Sequence, residues 1–244
     1  MAVYVNQDIT YLFGSMSIAG NAKSAVINST AQSLDTTSLA TTGWSTFIGG
    51  NKSGDFSLDL MADFDAGTLD DTIWTYITAN TDAPQSLAIG SAEGSTAYVW
   101  NGLNTAYTPV MGAPGELAMA SLSGVANGPI ARGMLMHTTG TARTATGTGT
   151  ARLLGAVTAS QRIYANLHVT AASGTTPTLV VKVQSDDNAG FTSPVDRITF
   201  TTATGKTAQA TNVAGAITDT YWRVTWTLTG TTPSFTFGVS AGII

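Results

Sequence analysis

Apolar and polar residues alternate from Lys52 to Asp65, which is the pattern of a strand buried on one face. The apolar positions are Phe56, Leu58, Leu60, Ala62 and Phe64. The positions between them are Ser57, Asp59, Met61 and Asp63. Because successive side chains of a strand point to opposite faces, the sequence predicts a long strand with an apolar inner face and a mostly acidic outer face.

The hydrophobic period changes after Ala66-Gly67. Apolar residues then recur with the spacing of one helical stripe, at Leu69, Ile73, Tyr76 and Ile77. Thr68 is a suitable N-cap, and the two aspartates that follow Leu69 lie where the helix dipole favours anions. We therefore predict one short amphipathic helix in a chain that is otherwise mainly β.

Shorter alternating runs predict further strands in the first half of the chain, at Tyr11–Ala19, Gln85–Ser91, Ala97–Asn101, Tyr107–Met111, Glu116–Leu122 and Ile130–Met136. Between Asn21 and Gly50 the chain is rich in Ser, Thr and Ala, and only Ser24–Asn28 resembles a strand. A structureless connection of this length is usually functional or disordered. We therefore predict a long loop here.

The second half alternates more regularly and is punctuated by Gly and Pro. Its inward positions are Ile163, Ala165, Leu167, Val169, Leu179, Val181, Val183, Ile198, Phe200, Trp222, Val224, Trp226, Leu228, Phe235, Phe237 and Val239. Several short strands separated by turns predict an Ig-like or jelly-roll β-sandwich. The Thr/Gly-rich segment from Thr138 to Thr150 predicts a connector. The predicted domains are residues 1–139, a connector at 140–151, and residues 152–244.

Charged residues make up only 10% of the 244-residue chain, against the ~25% usual in soluble domains. Such a surface suits a protein that is covered by neighbours in an assembly. The absence of cysteine excludes disulfides and thiolate metal sites. The N-terminal residues have no secretory-signal pattern, and no apolar run is long enough for a membrane span.

Candidate catalytic chemistry is sparse. The two histidines, His137 and His168, are expected to face solvent, with no nucleophile arranged beside them. The Ser185–Gly190 stretch offers oxygen ligands but lacks the spacing of a calcium loop, so we predict a polar turn. Asp59 and Asp63 would lie about 13 Å apart along one strand, too far apart for a glycosidase pair. We predict no enzyme activity, no metal and no cofactor.

The order of elements resembles the tail tube proteins of long, non-contractile-tailed phages. The resemblance rests on the long Asn21–Gly50 stretch, on Ser53–Asp65 followed by Gly67–Ala79, and on Glu116–Gly124. In the second half, Val183–Asp187 and Ile217–Trp226 resemble phage structural sequences of appended sandwich domains. The implied fold is a tail-tube-like β-sandwich or barrel with one helix, followed by a C-terminal sandwich that decorates the tube.

The resemblance also implies a function. Members of this family are non-enzymatic virion proteins that stack as hexameric rings around a channel for DNA. The implied partners are further copies of the chain, the tape measure, tail tip and terminator proteins, and DNA that passes without specific binding. The implied location is the virion tail, assembled in the host cytoplasm. No membrane partner is expected.

Two sets of residues become candidate assembly sites on this interpretation. Ser57, Asp59 and Asp63 would face the lumen, since an acidic wall repels the phosphates of DNA. The long loop would contact the next ring, with Asn21, Lys23, Asp35 and Trp44 as candidates. Residues 1–147 hold four Lys/Arg and eleven Asp/Glu, which argues against phosphate binding in this half. The alternative is a carbohydrate-binding adhesin or decoration module on a surface.

Overall fold

The computed structural model describes residues 8–38 and 43–244. Within these residues the fold is mainly β, as predicted, with a single short helix. The strands are β1 (Ile9–Phe13), β2 (Met16–Ser17), β3 (Ala22–Asp35), β4 (Phe47–Met61), β5 (Asp82–Ile89), β6 (Thr96–Met111), β7 (Met119–Ala126), β8 (Ala131–His137), β9 (Gly147–Thr148), β10 (Arg152–Leu153), β11 (Arg162–Asp186), β12 (Val195–Thr199), β13 (Thr207–Ala214) and β14 (Tyr221–Ile243). The helix, α1, is Leu69–Ala79.

The first half is a sandwich of two antiparallel layers. One layer has the order β2–β1–β5–β6, and the other has the order β6–β7–β4–β3. Strand β6 belongs to both layers, because its beginning pairs with β5 and its end pairs with β7. The two layers and α1 share one core, which includes Tyr11, Phe13, Phe56, Leu58, Leu60, Leu69, Ile73, Trp100 and Leu122.

The predicted strand–helix unit is largely confirmed. Phe56, Leu58 and Leu60 are buried in this core, as are Leu69 and Ile73 of α1. However, the strand ends at Met61, and Phe64 is 54% exposed. The prediction that Phe64 continues the buried face is therefore wrong, because the chain turns toward α1 before it reaches this residue.

The second half is built on a long ribbon of β11 and β14, which pair from Ile163–Ile243 to Asp186–Tyr221. A straight strand of this length would reach about 80 Å. Both ends of β11 nevertheless pack into the same core, with Val169 and Val183 in one cluster. The ribbon therefore folds back on itself at the bulges between Val169 and Thr178.

The backbone pairing is continuous across the two halves. Strand β14 pairs with β8, and β8 pairs with β6. The predicted connector also pairs with the second half: Arg143 forms a bridge with Phe235, and β9 pairs with Thr225 and Trp226. The boundaries at 139 and 152 stay a prediction, but backbone hydrogen bonds cross them.

The predicted long loop is wrong for most of its length. Strands β3 and β4 form a long antiparallel hairpin, with Ala22 opposite Leu60 and Asp35 opposite Phe47. Lys23 and Asp35 lie in β3, and Asn21 lies just before it. Beyond Asn28 the hairpin leaves the sandwich and both of its faces are exposed. A strand that is exposed on both faces needs no apolar alternation, so the periodicity that reveals other strands is missing here.

Candidate assembly surface

The outer face of the β6–β7–β4–β3 layer carries a set of polar rows. Asp59 of β4 lies between Ser24 of β3 and Ser121 of β7. One row further along, Ser57 lies between Val26 and Ser123. In the next row Asp55 lies between Asn28 and Val125. Because facing residues of paired strands share one side of the sheet, these residues form one continuous surface.

The two carboxylates of this face are held by hydrogen bonds from β3. Ser24 Oγ donates to Asp59 Oδ2 at 2.7 Å, and Asn28 Nδ2 donates to Asp55 Oδ1 at 2.8 Å. Neither aspartate belongs to any of the three ion pairs found among the described residues. The bonds therefore orient the carboxylates while leaving the face negatively charged. Sequence reasoning identified Asp59 and Ser57 but missed Asp55, although Asp55 continues the same alternation toward the N-terminus.

Asp63 does not share this face. It lies in the turn between β4 and α1, where its Oδ1 accepts hydrogen bonds from Thr68 Oγ1 at 3.0 Å and from the Asp65 backbone N–H at 3.2 Å. Its carbonyl oxygen also accepts from the backbone N–H of Asp70 at 3.1 Å. Thr68 occupies the N-cap position, but its hydroxyl donates back to Asp63 and caps no helical N–H. Asp63 therefore organises the start of the helix, and its assignment to the same strand face as Asp59 is wrong.

The layer that carries the acidic face is open at both edges within the described residues. Strand β3 pairs only with β4. From Asn104 onward, β6 pairs only with β7. Pro109 lies at the bulge between Thr108 and Met111, and it lacks a backbone donor. The free edge suitable for further pairing on β6 is therefore confined to residues 104–108.

The projecting part of the β3–β4 hairpin, residues 29–38 and 43–53, is called the arm below. It exposes a group of large apolar side chains: Leu34, Trp44, Phe47 and Ile48. Trp44 is 85% exposed. Near the tip, hydrogen bonds from the Thr37 side chain and backbone lower the pKa of Asp35. Of the four predicted loop residues, Asp35 and Trp44 lie on the arm, while Asn21 and Lys23 lie at its base.

Both histidines are buried, so the prediction that they face solvent is wrong. His168 contacts the first sandwich, with Nδ1 2.7 Å from the Gly14 carbonyl oxygen and Nε2 2.9 Å from Ser86 Oγ. Burial lowers the pKa of His168 to about 4. The alternation of β11 predicts that its polar face meets solvent, but the first sandwich covers this face at His168. His137 is stacked on Phe237, and burial also lowers its pKa.

A third polar contact joins the first sandwich to the second. Asn166 Nδ2 donates to the carbonyl oxygens of Gln85 and Trp100, at 2.9 and 2.8 Å. These bonds lie beside those of His168 and satisfy buried backbone acceptors of β5 and β6. The second sandwich therefore packs on the outer side of the β2–β1–β5–β6 layer, and the acidic face lies on the other side of the first sandwich.

The described residues hold no group of three or more His, Cys, Asp or Glu side chains arranged to bind a metal ion. The Ser185–Gly190 stretch forms a turn, in which Asp186 accepts hydrogen bonds from the backbone N–H groups of Asn188 and Ser193. These carboxylate oxygens are used to shape the connection between β11 and β12.

Across residues 8–38 and 43–244, no helix has the length and apolarity needed to cross a membrane.

Comparisons with known proteins give structural likenesses only. No protein-family model matches the sequence. No curated protein matches it either. Among solved structures, the chain is similar to one from the virion of a native gene transfer agent particle, with a TM-score of 0.46 and 18% identity, covering 53% of this chain and 98% of the other.

Two other likenesses come from phage SPP1. Its tail tube protein gives a TM-score of 0.43 and 11% identity, covering 52% of this chain and 78% of that one. Its Dit protein, described as a paradigm of the hub adsorption apparatus in phages that infect Gram-positive bacteria, gives a TM-score of 0.33 and 11% identity, covering 96% and 99%. These TM-scores are too low to assign a function to this chain.

Proposed function

We propose that this chain is a structural subunit of a phage-like tail tube, in which copies join side by side into stacked rings around an acidic lumen. One observation carries the proposal. Among the described residues, the β6–β7–β4–β3 layer is buried on one face, acidic on the other, and open at both edges. A sheet of this kind can be completed by further copies of itself.

The order of strands allows such a ring to close. All neighbours within the layer are antiparallel. Because the layer has four antiparallel strands, its first strand, β6, and its last strand, β3, run in opposite directions. In a ring with rotational symmetry, β3 of one copy therefore lies antiparallel to β6 of its neighbour. Antiparallel pairing between them satisfies the edge groups that are otherwise free and removes an aggregation hazard. Six copies, the number implied by the sequence resemblance, make a barrel of about 24 strands.

The charge of the outer face suits a channel for DNA. Asp55 and Asp59 would repeat once per subunit around the lumen, with Ser57, Ser121 and Ser123 between them. An anionic wall repels phosphates, so DNA passes without the counterion release that drives binding to cationic surfaces.

The position of the second sandwich agrees with an external role. It packs on the side of the first sandwich away from the acidic face, through Asn166 and His168. In a ring with the acidic face inward, residues 152–244 lie outside as a decoration. The tape measure, tail tip and terminator proteins are then the partners of the lumen and of the two tube ends, and the protein is located in the virion tail without an enzymatic role.

Electron microscopy of the concentrated, purified chain tests this proposal. Rings or tubes with a hollow centre are the expected result, and their abundance should rise with protein concentration. Dispersed particles at all concentrations would overturn the proposal. A glycan array run on the same preparation tests the alternative, since an adhesin would give dispersed particles that bind specific sugars.

A further inference from the structure

We propose that the arm of one copy docks on the opposite end of the sandwich in a second copy, and that this contact sets the stacking direction. The receiving surface, called the basal patch below, is formed by Phe64, Val110 and Leu117. The inference rests on the proposed function and names the surface that the arm binds.

The arm presents apolar side chains that stay exposed among the described residues. Trp44, Phe47 and Ile48 are all more than half exposed, and they lie near the tip of the hairpin, with Ile48 paired to Leu34 on one face and Phe47 on the other. Leu34 and Ile48 are both exposed and face each other across the ladder, and exposed apolar patches mark interaction sites in soluble proteins. The hairpin backbone is paired from Ala22–Leu60 to Asp35–Phe47, so the side chains are carried by a regular ladder.

The basal patch lies at the other end of the same strands. The Ala62 N–H donates to the Ala118 carbonyl oxygen at 3.0 Å, which brings the segments of Phe64 and Leu117 together. Met119 pairs with both Met61 and Met111, and this places Val110 beside the same corner. Leu117 is 59% exposed and Val110 is exposed to the same degree.

Charge favours the pairing of these two surfaces. The basal patch is bordered by Asp65 and Glu116, and the chain has no Lys or Arg between Lys52 and Arg132. Lys52 lies on the arm, is exposed, and belongs to none of the three ion pairs of the described residues. Among the described residues, the arm therefore combines an apolar tip with a lysine that forms no ion pair, and the basal patch combines an apolar centre with an acidic border.

The two surfaces cannot meet within one chain. Phe47 and Met61 are the two ends of β4, so the tip and the basal patch are separated by roughly 45 Å. The contact must join different copies, and it uses two different surfaces. A heterologous contact gives an open filament when its rotation does not close, and a contact between the two ends of the same strands repeats along the strand direction. Together with edge pairing around the ring, it gives growth along the tube axis.

The absence of cysteine makes a direct test possible. We would prepare the full chain with Phe47→Cys and Leu117→Cys, both at exposed positions, and treat it with a short bismaleimide crosslinker under assembling conditions. The expected result is a ladder of covalent multimers on a denaturing gel. The matched control combines Phe47→Cys with Asp187→Cys, an exposed residue of the second sandwich, and should give no ladder.

Other outcomes separate this inference from the proposed function. Dimers formed by Phe47→Cys alone would show contact between two arms and would overturn the inference. Tubes that form without any crosslink between arm and basal patch would overturn it while leaving the tube function intact. Failure of the wild-type chain to assemble at all would remove both.

A charge exchange gives a second, independent readout. Lys52→Glu should reduce assembly at least tenfold at low salt, and adding Glu116→Lys to the same chain should restore it in part. If Lys52→Glu has no effect on assembly, the assigned ionic contact is wrong. If the double variant assembles no better than Lys52→Glu, Glu116 is not its partner.

Discussion

Ser24 and Asp59 face each other across β3 and β4, and Ser24 Oγ donates a hydrogen bond of 2.7 Å to the Asp59 carboxylate. The donor is neutral, so the bond fixes the direction of the carboxylate without cancelling its charge. Asn28 acts in the same way on Asp55. The acidic face thus holds two oriented carboxylates whose charge is not neutralised by their hydrogen-bond donors.

The first prediction reverses the charge of this face. The double variant Asp55→Lys and Asp59→Lys should fold and assemble, because solvated side chains contribute little to stability. Its tubes should bind double-stranded DNA, and binding should weaken steeply between 50 and 200 mM salt as counterions compete, whereas wild-type tubes should not bind. Fluorescence anisotropy with labelled DNA measures this difference.

Asp187→Lys is the control for charge alone, because it adds a cation on the second sandwich. Tubes of this control should not bind labelled DNA in their lumen, so the anisotropy of the DNA should stay close to the value seen with wild-type tubes. If the double variant assembles and binds DNA no better than the control, the acidic face is not in the lumen. If it fails to assemble, these aspartates belong to an interface between subunits.

The second prediction concerns Asp63, which shapes the turn before α1. Asp63→Ala removes the acceptor of Thr68 Oγ1 and of the Asp65 N–H, so we expect a loss of about 1 kcal/mol in the free energy of unfolding. Urea denaturation measures it. Ser57→Ala, on the exposed face, should change stability by much less. Equal effects of the two substitutions would contradict the structural role of Asp63.

The third prediction is a dependence of stability on pH through His168. Burial lowers its pKa to about 4, below the ~6.5 of an unfolded chain, so the neutral form is favoured in the folded state. The contribution of neutral His168 to the free energy of unfolding is therefore complete above pH 6.5. It is lost as the pH falls toward 4, and the loss reaches about 3 kcal/mol. Urea denaturation at pH 7.5 and 4.5 should show a larger loss for the wild type than for His168→Gln. Equal losses would show that His168 does not carry this dependence.

The fourth prediction concerns the boundary between the two halves. A chain truncated after Thr139 loses β14, the partner of β8, and exposes the surface of Ser86 and Gln85 that the second sandwich covers. We expect it to be largely insoluble or strongly destabilised, as measured by sedimentation and circular dichroism. A soluble, cooperatively folding fragment would show that the first sandwich is independent of the second.

The sequence predicted those parts of the fold in which one face is buried and the other is solvated. Phe56, Leu58 and Leu60 were placed correctly, and so was α1 with Leu69 and Ile73 inside. Alternation of apolar and polar residues results directly from burial of one face. These elements could therefore be predicted without any knowledge of the partner strands.

The same reasoning failed where burial is not one-sided. The arm is exposed on both faces, and its strands carry Ser, Thr and Ala without alternation, so the sequence pattern predicts a loop there. In the first part of β11, Ile163–Val169, both faces are covered, and His168 and Asn166 are buried against another part of the chain. A single sequence does not show which part of the fold will cover a polar strand face, because such covering depends on contacts between residues far apart in the chain.

The folded-back ribbon of β11 and β14 has a consequence for the rate of folding. Ile163 pairs with Ile243, so the second sandwich cannot be completed until Ile243 has been synthesised. Folds dominated by such distant pairings form in milliseconds to seconds, whereas an isolated hairpin such as the arm forms in about 1–10 μs. The arm should therefore exist on the nascent chain well before the body behind it is finished. This order leaves a period in which an apolar tip is displayed without a complete subunit, and chaperones that bind nascent chains would be expected to act at that stage.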